Sequence, residues 1–352
     1  MALKNILVTG GSGFIGTNFI KYIYGLHPQW HIFNLDALTY AGNPMNHREL
    51  EEDPRYTFIH GDITDAALLK KLFDIHEFDG VFHFAAESHV DRSITGPEVF
   101  LHTNIMGTFK LLEASLTYFQ NNGVSDFKFL HVSTDEVYGS LGFDDPAFTE
   151  ETPYDPSSPY SASKASSDHL VKAYFKTYGL PTLVTNCSNN YGPFQFPEKL
   201  IPLVILNIMD KKSLPVYGKG ENIRDWLYVE DHCEALVKVF EQGSFGETYN
   251  IGGGEEKNNI EVVYTICDLV DEKTGAKGSS RDLITFVKDR PGHDIRYAIN
   301  SDKTLERIGF KAKYSFEQAL SASIDWYLAH MDWVRSVQTG EYRKWMEKQY
   351  TS

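Results

Sequence analysis

The sequence predicts an α/β protein built on a doubly wound parallel sheet, with a smaller, interleaved mixed α/β unit toward its C-terminus. Three observations carry this expectation. Short apolar runs rich in Val, Ile and Phe recur through the first half, helix-length amphipathic segments separate most of them, and after Asn189 the rhythm gives way to stretches rich in Pro, Gly and aromatics. Runs this continuously apolar suit strands covered by helices on both faces, which favours a parallel sheet over a β-sandwich.

In order, the runs are NILVTG, HIFNLD, YTFIHGD, GVFHFAA, FKFLHVS and PTLVTNCS, and much later TYNIGG. The first six organise residues 1–188. The last reads as a strand returning to the same sheet, so residues 228–254 are expected to rejoin that unit. Residues 189–227 with 255–352 then form the second unit, and no repeat or low-complexity tract interrupts either.

The chain has 352 residues, 42% of them hydrophobic, enough for one large core or two unequal ones. A formal charge of −15 repels phosphate backbones and anionic lipid, which disfavours nucleic-acid and membrane partners and means that an anionic ligand needs a local basic pocket. Cys187, Cys233 and Cys267 lie far apart without metal-ligand spacing, as do the histidines, so neither a metal site nor a disulfide framework is expected. No signal-peptide pattern opens the chain and no 18-residue apolar run occurs, so the expected location is cytoplasmic.

ILVTGGSGFIG sets Gly10, Gly11, Gly13 and Gly16 between the first strand and a helix reaching about His27. The early glycines permit a tight turn, Gly13 admits a pyrophosphate to the backbone, and Gly16 lets helix pack on strand. Twenty positions past Gly16, Asp36 ends the second strand, and no Arg follows it in NLDALTY. A carboxylate there accepts from a ribose diol and repels a 2′-phosphate, which favours NAD over NADP. Asp62, in HGDITD, either caps the next helix or reaches an adenine.

PSSPYSASKASSDHL runs from cap residues into a helix, putting Tyr160 and Lys164 on one face. An ammonium beneath the phenol would favour the phenolate and make Tyr160 a general base, with Lys164 also placed to hold a nicotinamide ribose. Such a pair alone also occurs as surface or core filler. VSTDEVYG ends an apolar run with two adjacent acids, Asp135 and Glu136. In a regular strand they would point to opposite faces, so a shared substrate requires the chain to bend after Thr134. Convergence in a partly dry pocket would raise one carboxyl and leave one acid and one base.

Together, Gly10 to Gly16, Asp36, HFAAESHVDRS, VSTDEVYG and Tyr160 with Lys164 resemble the extended short-chain dehydrogenases that act on nucleotide sugars, over essentially the whole chain. Epimerases of that family usually carry small uncharged residues in place of Asp135 and Glu136, and GDP-mannose dehydratases Ser then Glu. The Asp-Glu pair is similar to members that dehydrate dTDP-glucose. The resemblance implies a Rossmann sheet, bound NAD, a nucleotide-sugar substrate with thymine as its base, and a homodimer paired through a four-helix bundle formed by the apolar helices near Val99–Phe119 and Tyr160. Phe14, Ile15, Ile63, Ala85 and Ala86 would join Gly10, Gly13, Gly16, Asp36, Asp62, Tyr160 and Lys164 around the cofactor. Tyr160 would deprotonate the sugar's 4-hydroxyl with Thr134 bonded to the same oxygen, Glu136 would remove the C5 proton, and Asp135 would protonate the departing 6-hydroxyl.

Guanidinium groups suit phosphate oxygens, and by resemblance Arg224 and Arg290 would clamp the diphosphate. Arg224 with Asp225, or Arg290 with Asp294, could equally be surface pairs. Ser88, Asn190, Glu198, Lys199, Asn259, His293 and Tyr297 resemble further substrate contacts. Two rivals remain at this level. A 4-epimerase would keep the glycine turn, Tyr160 and Lys164 without using the acidic pair, and a non-catalytic NAD-binding regulator would need none of the three reactive groups.

Overall fold

A computed structural model describes residues 4–123, 126–289 and 293–338. Six apolar runs form β1 (Lys4–Thr9), β2 (Trp30–Asp36), β3 (Tyr56–His60), β4 (Gly80–His83), β5 (Lys128–Thr134) and β6 (Thr182–Cys187). Beyond them come β7 (Asn189–Tyr191), β8 (Leu214–Tyr217), β9 (Ile223–Tyr228), β10 (Thr248–Ile251), β11 (Glu256–Asn258) and β12 (Ile284–Val287). The seventh run, β10, pairs in parallel with β6 and completes a seven-stranded sheet ordered β3-β2-β1-β4-β5-β6-β10. The chain begins in mid-sheet at β1, winds out to β3 and restarts at β4 on the other side of β1. That reversal opens a crevice at the carboxyl ends of β1 and β4.

The helices are α1 (Phe14–Leu26), α2 (Ala66–Ile75), α3 (Val90–Thr95), α4 (Glu98–Phe100), α5 (Thr108–Asn122), α6 (Pro159–Tyr178), α7 (Leu200–Met209), α8 (Val229–Gln242), α9 (Asn259–Thr274), α10 (Asp302–Ile308), α11 (Phe316–Ala329) and α12 (Met331–Val337). Strand side chains alternate between two cores, as a period of two demands. Ile6 and Val8 of β1 join Ile32, Phe82 and Leu130 against Phe19 and Ile23 of α1 and Leu236 and Phe240 of α8. Leu7, between them, joins Phe33, Val81 and Phe129 against Leu72 of α2, Leu112 of α5 and Val171 of α6. Both faces of the sheet are therefore covered, which is why its strands read as unbroken apolar runs. Phe82 stacks between Phe19 and Phe240, with both ring centroids 4.4 Å away.

The helix expected around Val99–Phe119 is present and runs without a break through α4, a π-helical turn over Leu101–Gly107, and α5. A π turn inserts a residue and shifts the register of the side chains that follow. Here it turns Asn104 inward, where its amide accepts from the Glu87 N–H at 2.8 Å and donates to Ser163 Oγ at 2.8 Å.

The later part of the chain has its own core, with Val204 and Ile205 of α7, Val263 and Ile266 of α9, Leu320 of α11 and Val334 of α12 around Tyr191 and Trp226. Its strands form a mixed sheet ordered β11-β9-β7 and a parallel pair, β12 with β8. Among the described residues no helix is long and apolar enough to cross a membrane, and no group of His, Cys, Asp and Glu could hold a metal ion.

Candidate active site

The crevice begins where β1 stops. Gly10 adopts φ +71°, and a Cβ there would meet the Ala85 nitrogen at 2.6 Å. A Cβ on Gly16 would meet the Gly10 carbonyl oxygen at 2.3 Å. Gly13 caps α1 with no side-chain bond and no acid follows in the first turn, so the helix presents backbone N–H groups and a positive end to the crevice. Asp36, at the end of β2, accepts from the Ser12 N–H at 2.9 Å and the Leu38 N–H at 2.8 Å. Burial raises its carboxyl's pKa, and these two bonds oppose the rise.

Phe14, Ile15, Ile63, Ala85 and Ala86 line the same cavity as the glycines, Asp36 and Asp62. Capping, one of the two uses open to Asp62, falls instead to Asp65, whose carboxylate accepts from Ala67 and Leu68 at the start of α2. Asp62 accepts from the Thr64 N–H at 2.8 Å. A glycine cradle that a Cβ would fill, an uncapped helix end and a buried carboxylate at the end of β2 with no Arg following it fit a dinucleotide with a free 2′-hydroxyl.

At the adjoining strand end the chain bends. Thr134 is extended (φ −139°, ψ 152°) and its Oγ1 accepts from the Glu136 N–H at 3.3 Å, starting a 3₁₀ turn over Asp135–Tyr138. Gly139 closes the turn at φ +97°, where a Cβ would meet the Asp155 carbonyl oxygen at 2.6 Å. Thr134, Asp135 and Glu136 consequently face one cavity together with Tyr160, Lys164 and Ser88. Asp135 is buried, and its Oδ2 has no hydrogen-bond partner among the described residues. Burial, then Glu136 and Asp225, push its carboxyl well above the usual range, against the pull of Arg224. A carboxylic acid protonated at neutral pH is a proton donor.

The Tyr160–Lys164 expectation is corrected in its electrostatics. Ser158 caps α6 in a reciprocal box with Ser161, and Pro159 opens the helix, which fixes both side chains on one stripe. The Lys164 ammonium, however, donates to the Val132 carbonyl at 2.9 Å and lies 3.4 Å from His131 Nε2. Burial, then the Glu136 carboxylate, drive the Tyr160 phenol well above its ordinary value, and a hydrogen bond with Thr134 only partly offsets them. In the protein by itself, burial, reinforced by the Glu136 carboxylate, therefore keeps the phenol neutral.

Of the residues expected at the substrate end, Asn190, Glu198 and Lys199 line the cavity with Ser88. Glu198 is buried, its carboxylate 3.4 Å from Arg92 Nη2 and 3.6 Å from His89 Nε2. Asn190 Oδ1 lies 2.9 Å from His232 Nδ1. Arg224, Asn259, His293 and Tyr297 are not part of that lining. Arg224 donates to the carbonyls of Ile223 at 2.7 Å and Asp294 at 3.0 Å, and its guanidinium lies 4.4 Å from the Tyr297 ring centroid. Asp225, its strand neighbour, points to the other face and accepts from the N–H groups of Gly253 and Glu255, which replaces the idea of a surface pair with Arg224. The Tyr297 hydroxyl donates to Asp294, His293 Nδ1 lies 2.7 Å from Asp289 Oδ1, and the Asn259 N–H donates to the Asn222 carbonyl at 3.0 Å. Arg290 lies outside the described residues.

Sequence reasoning missed Tyr40, Thr103 and Phe196, which also line the cavity. Tyr40 packs under the Arg92 guanidinium at 3.8 Å. It sits four residues past Asp36 in an irregular loop, where no period marks a facing residue.

What this sheet and crevice define is a protein of the short-chain-dehydrogenase type. Comparison narrows the class. The family model for GDP-mannose 4,6 dehydratase matches residues 7–322. The chain is 55% identical to the dTDP-glucose 4,6-dehydratase of Shigella flexneri and 54% identical to dTDP-glucose 4,6-dehydratase 1 of Escherichia coli K12, in each case over 98% of both chains. Among solved structures, the dTDP-glucose 4,6-dehydratase of Bacillus anthracis in complex with NAD superposes with a TM-score of 0.85 at 46% identity, covering 95% of this chain and 100% of that one. The UDP-glucose 4-epimerase of Thermotoga maritima gives 0.81 at 28% identity, covering 93% and 99%. The chain belongs to the GDP-mannose 4,6 dehydratase family of nucleotide-sugar-modifying enzymes.

Proposed function

We infer that this chain is an NAD-dependent hydro-lyase that converts dTDP-glucose to dTDP-4-keto-6-deoxyglucose. One observation carries the reading: the bend after Thr134 brings the buried Asp135, its carboxyl pushed well above the usual range, and its neighbour Glu136 into the cavity that Tyr160 lines. Relatives more than half identical over nearly the full chain carry the same activity in their names.

The residue roles are as follows. The glycine turn, the start of α1 and Asp36 hold NAD, with Asp62, Ile63, Ala85 and Ala86 along its flank. When bound there, NAD would supply a positively charged ring and the hydride acceptor that the oxidation at C4 and the reduction at C6 need. That added positive charge in the crevice favours the Tyr160 phenolate, which would take the proton of the 4-hydroxyl, with Thr134 in the same cavity placed to steady that oxygen. The new C4 ketone acidifies the C5 proton, which Glu136 removes. Asp135 protonates the departing 6-hydroxyl, and water leaves across C5 and C6. C5 is then reprotonated from Glu136 after its proton has exchanged with solvent. Ser88, Asn190, Glu198 and Lys199 orient the hexose and diphosphate, while Arg224, Asn259, Arg290, His293 and Tyr297 receive the nucleotide end.

A division into a cofactor unit, residues 1–188 with 228–254, and a substrate unit, residues 189–227 with 255–352, accords with the separate core of the later part. A homodimer through the α4–α6 side accords with exposed Ile94, Val99, Leu101 and Met106 there. Light scattering on Leu101→Glu tests it, with a shift from dimer to monomer expected. A cytoplasmic location accords with three free, buried cysteines.

The reaction closes its own redox cycle, so the purified chain is expected to dehydrate dTDP-glucose with no cofactor added beyond what it retains. Recovery of a C4 epimer, or of the unchanged sugar in the presence of bound NAD, would overturn the reading.

A further inference from the structure

Lys164 belongs to a buried polar row that the elimination does not otherwise use. Tyr160, Lys164 and Asp168 stand four residues apart on α6, so they share one stripe of the helix. His131 and Ser133, two apart on β5, face that stripe. His131 Nε2 lies 3.4 Å from Lys164 Nζ and 3.3 Å from Asp168 Oδ1, standing between cation and carboxylate. The other Asp168 oxygen accepts from Ser133 Oγ at 3.0 Å and from the Tyr154 hydroxyl at 3.0 Å. Asp168 and His131 side chains are 0% and 1% exposed.

A carboxylate or ammonium this deep is costly unless it meets its opposite. His131 is neutral, because burial pushes its imidazole far below the usual range. The row is balanced when Lys164 is protonated and Asp168 ionised, and the two Asp168 hydrogen bonds favour that state. Further titratable groups around it come from the elements packed against it: His83 on β4, whose ring centroid is 5.1 Å from that of His131; Asp135 and Tyr138 in the turn after β5; Cys187 on β6; Tyr154; and Tyr160 and Lys172 on α6. His83 is likewise neutral, and the Cys187 thiol, pushed up to about 12, is uncharged.

We propose that Asp168 is the positioning residue whose charge keeps Lys164 protonated and anchored on the Val132 carbonyl, and thereby sets the alkaline limit of the reaction. The proposal rests on the reading under which Lys164, lining the crevice with Tyr160, would hold the cofactor's nicotinamide ribose and must be charged for the reaction to run. Burial lowers the Lys164 pKa to about 8, and Asp168 is the leading influence that opposes the fall. Without the Asp168 charge, Lys164 loses its proton at lower pH. Below about pH 6, where Asp168 is itself protonated, wild type and variant should converge.

The test compares pH profiles of kcat and KM for the NAD-containing enzyme and its Asp168→Asn, Ser133→Ala, Tyr154→Phe and Lys164→Met variants. Asp168→Asn is expected to move the alkaline limb acidward by about one pH unit or more, roughly a tenfold loss on that limb. Its activity near pH 6 should stay within about threefold and its KM within about twofold. Ser133→Ala and Tyr154→Phe, each removing one bond to Asp168, should move the limb the same way by a smaller step. These two decide the matter if Asp168→Asn does not fold. A folded Asp168→Asn with an unmoved limb, or with an equal loss at every pH, contradicts the proposal, as do unmoved limbs in both milder variants. Lys164→Met separates the two readings: if it keeps normal turnover, the role of Lys164 falls; if it is inactive while Asp168→Asn keeps its limb, only the Asp168 proposal falls.

Discussion

The crevice and the region proposed to receive the nucleotide are built from different materials. At the glycine turn the surface is backbone: Gly10 against Ala85, Gly16 against Gly10, and the open N–H groups of α1. The region proposed for the nucleotide, outside the lining of the crevice, is made of long side chains held by one another, with Arg224 on Tyr297, Tyr297 on Asp294 and His293 on Asp289. A backbone surface tolerates no added atom, because nothing beside it can rotate away. A side-chain surface can re-pack, so single changes there should weaken binding without abolishing it.

The proposed reacting groups, Thr134, Asp135, Glu136 and Tyr160, line the crevice with the glycine turn, and the largest effect is expected there. Glu136→Gln should cut turnover by roughly 10²–10⁴ while still allowing oxidation at C4, so absorbance of reduced cofactor builds up on mixing with dTDP-glucose. Next comes the glycine turn. Gly16→Ala drives a methyl into the Gly10 carbonyl, and cofactor content after purification should fall by roughly 100-fold, about 2–3 kcal/mol of strain and lost contact. If that variant keeps its NAD, the contrast between the two regions is broken. In the side-chain region, Arg224→Met should raise KM for the nucleotide sugar by roughly tenfold with kcat within about threefold, as expected for loss of one charge-assisted contact. The smallest effect is one of pH. Lys164, lowered to about 8, is charged below that value and loses its charge as pH rises through it, so kcat should decline above about pH 8. A rate that stays flat beyond pH 9, about one unit higher, would detach Lys164 from catalysis.

The sheet was legible because its strands are buried on both faces, so Val, Ile and Phe follow one another without polar interruption and each run stands out. The glycine turn was legible because three spacing constraints fall on one residue type. The convergence of Asp135 and Glu136 followed from chemistry rather than pattern: two adjacent acids can meet one ligand only across a bend, and Thr134 with Gly139 makes that bend. The π turn at Leu101–Gly107 left no such trace, since one inserted residue barely alters an apolar period. Asp65 outcompeted Asp62 for the α2 cap by a difference of three positions that composition does not resolve. The environment of Tyr160 was misjudged for a different reason. Helical spacing places Lys164 one turn away, but the ammonium's partners, Val132 and His131, come from β5, and no local pattern records a tertiary contact.

The most direct measurement is to follow dTDP-glucose turnover in deuterated water with the enzyme's own NAD and to read C5 and C6 of the product by NMR. The account predicts loss of the 6-hydroxyl, a methyl group at C6 whose third hydrogen comes from C4 of the substrate, and solvent deuterium at C5. A product with its C5 hydrogen retained, or with C6 still hydroxylated, would mean that Asp135 and Glu136 do not share the sugar.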